Sequence, residues 1–146
     1  LQSEVVEVYA QGNRIIHADT VPVDTGGLIL MTFANGVFAS LDCSWSRPLV
    51  HQTWGGVTLE LVGEQGVVTV DAFRQNITAH GDHVGKAQWL FWGSDADMAM
   101  VAEFVAAIRE GRQPAVTGYD GYQAMEITLA AYRSAATGQP VRLPLA

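Results

Sequence analysis

The sequence predicts an α+β fold, an open and mostly antiparallel sheet of six or seven strands with two C-terminal helices packed on one face. Three observations carry this. Short alternating apolar segments, broken by Gly, Asn and Pro, fill the chain as far as residue 92. Two stretches of helical periodicity follow, each with its own start and stop signals. A length of 146 residues suits a single domain, 1–146, with an adequate core.

The first segment, VVEVYA, alternates Val6, Val8 and Ala10 against Val5, Glu7 and Tyr9, as a half-buried strand does. Arg14 to Ala18 is a second extended piece, and Asp19 to Thr25 a polar connection. Gly27–Ala34 and Val37–Trp45 flank Asn35-Gly36, a strong hairpin signal in which both turn positions are expected to take positive φ. In the second of these strands Val37, Ala39, Leu41, Cys43 and Trp45 share the apolar side. Cys43 is therefore expected as a buried structural thiol.

Val57–Val62 and Val67–Asp71 form another hairpin around Gly63-Glu64-Gln65-Gly66, and Asn76–His80 and Ala87–Trp92 complete the sheet. Ser94 or Asp95 caps the first helix, whose stripe Met98, Val101, Val105 and Ile108 is expected to be buried, and Gly111 ends it before Pro114. Thr117 and Asp120 start the second helix in the manner of a capping box, and Gly138 and Pro140 stop it. Met125, Leu129, Tyr132 and Ala136 make one line of its apolar face, with Ala124, Ile127, Ala131 and Ala135 beside them. So short a connection predicts that the two helices are neighbours.

Composition narrows the function. Hydrophobic residues make up 49% and charged residues 16%, as in a globular chain, and the net charge of -7 with scattered Lys and Arg excludes a nucleic-acid surface. A single cysteine and no long apolar span imply the cytoplasm and no membrane. GGLILM and GEQGVV lack the spacing and the following helix of a dinucleotide fingerprint. His80-Gly-Asp-His83 is a hairpin loop short of ligands, so no metal is expected.

The segment SRPLVHQTWGG is the most site-like stretch. Arg47, His51 and Trp54 supply a guanidinium, a titratable imidazole and a stacking ring, which suit a small polar ligand as well as an ordinary loop.

Several stretches together resemble the C-terminal domain of the Gfo/Idh/MocA oxidoreductases: VVEVYA, FANGVFASLDCSWSRP, WGGVTLELVGEQGVVTVDAF and FVAAIREGRQPAVTGYDGYQAMEITLAAYRSAATGQPVRLPL. The resemblance covers nearly the whole chain and rests on the order of the stretches. It implies a two-domain enzyme whose N-terminal Rossmann domain binds NAD or NADP. The C-terminal domain would shape the pocket for a sugar, polyol or related hydroxyl compound and supply an oligomer interface. In that family a Lys of a Lys-Pro pair and a His on a helix before the sheet serve proton transfer. Here the only lysine, Lys86, lies in a predicted loop, and no His precedes the first strand on a helix. Both groups are expected upstream of Leu1. No catalytic or cofactor-binding residue carries over, this chain alone is expected to be inactive, and Arg47, His51 and Trp54 are the substrate-pocket candidates.

The other reading is a stand-alone binding module that self-associates through its sheet. In either case the face bearing Phe38, Val62 and Val67 among Ser and Thr predicts a homodimer.

Overall fold

The computed structural model describes residues 2–46, 56–73, 75–81, 86–91 and 95–145. The chain divides into two compact units, Leu1–Ser46 with Val116–Ala146, and Arg47–Ala115.

The first unit holds β1 (Val5–Asn13), β2 (Gly26–Phe33), β3 (Phe38–Asp42), the second helix and a short closing strand. The second holds β4 (Thr58–Gly63), β5 (Gly66–Asp71), β6 (Asn76–Gly81), β7 (Lys86–Phe91) and α1 (Ala96–Glu110). The second helix is α2 (Gly118–Thr137) and the closing strand β8 (Val141–Arg142).

The α+β class holds, and every strand pair is antiparallel. The strands form two four-stranded sheets, β3-β2-β1-β8 and β4-β5-β6-β7, where the sequence predicts one sheet of six or seven. Hairpin signals specify which consecutive strands pair, but nothing in them says where one sheet stops. α2 lies on β1, and α1 belongs to the second unit.

Local turn chemistry explains most boundaries. Gly36 N donates to Phe33 O and Phe33 N to Val37 O, with Gly36 at φ 85°. Only Gly36 takes positive φ, so the Asn35-Gly36 hairpin is a three-residue loop with glycine at its left-handed position, not the predicted two-residue turn. The extended piece expected from Arg14 to Ala18 is absent. β1 runs on to Asn13, and a turn follows in which Thr20 N and Val21 N both donate to His17 O.

Asp95 caps α1 by accepting from Met98 N at 3.0 Å, and Gly111 ends it in the left-handed conformation. Thr117 and Asp120 cap α2 reciprocally, and Gly138 ends it at φ 68°. Beyond α1, Arg112 bridges Glu103 and Glu110, and Glu103 also accepts from Ala115 N. The Arg112 bond holds the Glu103 carboxyl below the usual carboxylate range.

The core of the first unit is small-sided. Val8, Ala10, Ala130 and Ala131 are buried, and Ile29, Met31, Ile127 and Leu143 pack around them. Alanines on α2 let the helix lie close to the sheet. A bulge between Val5 and Glu7 breaks the alternation, so Val5 packs on the core while Val6 is exposed.

On α2 the buried positions are Ala130, Ala131 and Ser134. The line Met125, Leu129 and Tyr132 is exposed instead. Helical periodicity finds the apolar half of a helix, but small residues decide which edge of that half meets the sheet. The stripe expected to be buried on α1 is likewise exposed, with only Ala107 covered. Cys43 is exposed too, because it follows β3, an edge strand of the first sheet, whereas α2 covers β1.

Ser134 joins helix, sheet and tail. Its hydroxyl accepts from Ala10 N at 3.0 Å and donates to Gln139 O at 2.7 Å. The register of β1 with β8, Glu7 with Arg142 and Val8 with Val141, places Ala10 opposite Gln139. The hydroxyl therefore relays one more rung of the ladder beyond the end of β8. Replacing it by hydrogen, Ser134→Ala, leaves a buried donor and an acceptor unpaired. The expected loss is about 2–3 kcal/mol in a denaturant titration, and an unchanged midpoint would contradict the relay. The exposed thiol predicts that Ellman's reagent titrates Cys43 in native buffer. A thiol silent until denaturant is added would show it covered.

Candidate functional site

Arg47, His51 and Trp54 lie outside the described residues, so the geometry to be read is that of the chain leading into them. Asp24 and Thr25 immediately precede β2, and Ser44 to Ser46 follow β3. Antiparallel pairing of β2 with β3 brings these two ends together, since Leu28 faces Asp42 and Cys43 N donates to Gly27 O.

Side chains then tie the ends. Gly27 N donates to Ser44 Oγ at 3.1 Å, Trp45 Nε1 to Asp24 O at 2.9 Å, and Ser46 Oγ to Thr25 O at 2.9 Å. A Cβ at Gly27 would come within 2.8 Å of Cys43 Sγ, so a larger residue there would turn the exposed thiol aside. From α2, Tyr132 donates its hydroxyl to Asp24 Oδ1 at 2.8 Å. That bond holds the phenol in its protonated form and raises its pKa.

A cleft of about 280 Å³ opens between β1, β2 and the first turns of α2, lined by Glu4, Met31, Phe33, Gln123 and Glu126 among others. Its carboxylates are engaged. Glu4 accepts from Tyr119 at 2.8 Å, and Glu126 from Leu145 N at 2.8 Å and Tyr122 at 3.4 Å. Asp120 is held by Thr117, which lowers its pKa. These groups are structural acceptors, and the cleft offers no nucleophile beside a free base.

Phosphates sit at helix N-termini where backbone N–H groups are available; among the described residues Asp95 caps α1, with Asp97 adding negative charge to its first turn, and Thr117 and Asp120 cap α2. Among the described residues no three His, Cys, Asp or Glu side chains are grouped to hold a metal. The side chain of His80, with Asp82 and His83, lies outside them.

The sequence matches a family model over residues 2–143, that of the C-terminal alpha/beta domain of the oxidoreductase family Gfo/Idh/MocA. The chain belongs to this family. It is 31% identical to the uncharacterized oxidoreductase YrbE of Bacillus subtilis, over 97% of this chain and 42% of YrbE. An oxidoreductase structure from Thermotoga maritima superposes with a TM-score of 0.83 at 26% identity, covering 97% of this chain and 41% of that one. Levoglucosan dehydrogenase, solved with NADH and levoglucosan, gives 0.82 at 22% identity, covering 98% and 46%, a likeness of fold. The chain thus spans less than half the length of each. No described helix is long and apolar enough to cross a membrane.

Sequence reasoning missed Tyr132, Asp24 and Tyr119 as polar partners. Tyr132 had the spacing of an apolar line, and its partner stands 108 positions away. Tyr119 is raised by Glu4 as Tyr132 is by Asp24. Each bond needs the protonated phenol, so its contribution is complete below the ordinary tyrosine value near ~10 and is lost as pH rises through the raised one. In a spectrophotometric titration, Tyr119→Phe and Tyr132→Phe should each remove a late-ionising phenol. Loss of an early-ionising one instead would contradict the assignment.

Proposed function

We propose that this chain is the substrate-side and assembly domain of a cytoplasmic NAD(P)-dependent dehydrogenase acting on a hydroxyl-bearing carbon of a sugar, polyol or related compound. The observation that carries the reading is the family match over residues 2–143 in a chain that spans only 42% of a relative. Because the match runs across both compact units, it also supports treating 1–146 as one domain. On this reading the nucleotide and the proton-transfer groups belong to the remainder of such an enzyme. NADH and levoglucosan in one structural neighbour support the substrate class. Arg47, His51 and Trp54 line the substrate side, binding hydroxyl or carboxyl groups by charge, imidazole and stacking.

Assembly uses the outer face of the first sheet. Tyr9 faces Leu30 and Leu30 faces Ser40 across it, Leu28 lies one row on, and Phe38 is 83% exposed at its end. A second copy packed face to face covers these side chains and makes a homodimer.

The test uses the full-length protein with NAD or NADP and a panel of sugars and polyols, read at 340 nm. Turnover is expected, and Arg47→Ala should raise the substrate KM roughly ten-fold or more at unchanged nucleotide KM. No turnover across the panel, together with no NADH binding by fluorescence, would sink the reading.

A further inference from the structure

We infer that Leu143 to Leu145 form a hinged strap, latched by Glu126 along one wall of the α2 cleft, that opens while the rest of the first unit stays folded. The chain from Gln139 onward is fastened in two different ways. Its first part is held deep, since the fully buried Ser134 donates to Gln139 O, and Val141 and Arg142 pair with Val8 and Glu7 of β1. The second part leaves the ladder. Leu143 N donates to Val6 O at 3.0 Å, and there β1 is interrupted by the bulge between Val5 and Glu7. Pro144 has no N–H to offer. The next donor is Leu145 N, and it turns to the helix, reaching Glu126 Oε1 at 2.8 Å.

Among the described residues, that charge-assisted bond is the one hydrogen bond joining Leu143 to Leu145 with α2. Glu126 keeps a second donor, the Tyr122 hydroxyl at 3.4 Å, so its carboxylate is not stranded when Leu145 leaves. Leu143 lines the cleft, and with Leu145 it packs at the margin of the core. Both leucines are half-buried, whereas Val8 and Ala130 are fully buried. Lifting the strap therefore moves one wall of the cleft and leaves the contact of Val8 with Ala130 closed. Segments with few ties and partial burial open at the low end of a protein's stability range. Arg142 is the hinge, as the last residue paired with β1, and the Ser134 clamp at Gln139 keeps the opening from spreading back into β8.

The experiment is native-state hydrogen exchange at residue resolution on the full-length protein, in rising urea below the unfolding transition. In the wild type, Leu143 and Leu145 N–H should share one protection factor, roughly ten-fold or more below that of Ala10 N–H and nearly independent of urea. Ala10 N–H, bonded to Ser134, should lose protection steeply with urea, as a group exposed by global opening does. Glu126→Ala should lower protection at Leu143 and Leu145 together by roughly five-fold or more, with Ala10 within about two-fold. Glu126→Gln, whose amide oxygen accepts the same bond, should keep most of it. Leu145 and Ala10 falling along one urea curve in the wild type would show that the strap opens only with the whole unit, and overturns the inference. Unchanged Leu145 protection in Glu126→Ala overturns it as well. So does an equal loss at Leu145 and Ala10, because Glu126 would then support the unit in general and not the strap. Should Glu126→Ala fail to fold, the wild-type urea curves decide by themselves.

Discussion

The first unit depends on one hydroxyl. Alanines at 130 and 131 let α2 approach β1 closely, and that approach buries Ala10 N, an edge donor that β8 is too short to reach. A buried donor without a partner costs about 1–3 kcal/mol. A helix can come this close only if it brings an acceptor to the same place. Ser134 does so in a side chain small enough to be fully buried, and the same oxygen hands its proton to Gln139 O. Gly138 makes this geometry reachable, since its left-handed φ turns the chain back under the helix and its N–H closes on Ser134 O at 2.7 Å. Register of β8, depth of α2 and closure of the core are then one arrangement.

What the sequence reveals of this fold is what is decided locally. The capping box at Thr117 and Asp120, the Asp95 cap, the glycine stops at 111 and 138, and the hairpins on either side of Gly36 all follow from neighbours a few residues apart. What stays illegible is decided at long range. Alternation puts Val6 inside, but a bulge gives the place to Val5. Periodicity puts Met125 and Leu129 inside, but the position of β1 selects Ala130 and Ser134. Cys43 continues an apolar strand pattern, yet its strand is an edge. For the site, residue types flag Arg47, His51 and Trp54 as ligand-like, while the Asp24 to Tyr132 bond, between residues 108 positions apart, has no local signature.

The apolar faces that periodicity marks on α1 and α2 are real features even though the described residues leave them exposed. A lone exposed leucine needs no explanation, but a helical line of Met98, Val101, Val105 and Ile108 together with the open outer face of the first sheet is a pattern. On the proposed reading, the rest of a protein more than twice this length and a second copy of the chain provide the cover. Apolar spacing reports that a face is made to be buried, without reporting by what.

A division of labour follows from where the polar groups go. Helix N-termini, which in many enzymes hold a ligand's phosphate, here close on their own aspartates, and the carboxylates of the α2 cleft close on tyrosines and backbone N–H groups. Among the described residues these groups are engaged within the fold itself. On the proposed reading, recognition is left to Arg47, His51 and Trp54. The ties from Gly27, Thr25 and Asp24 to Ser44, Ser46 and Trp45 join the two ends of the β2–β3 pair, and Tyr132 refers them to the helix that Ser134 holds in place.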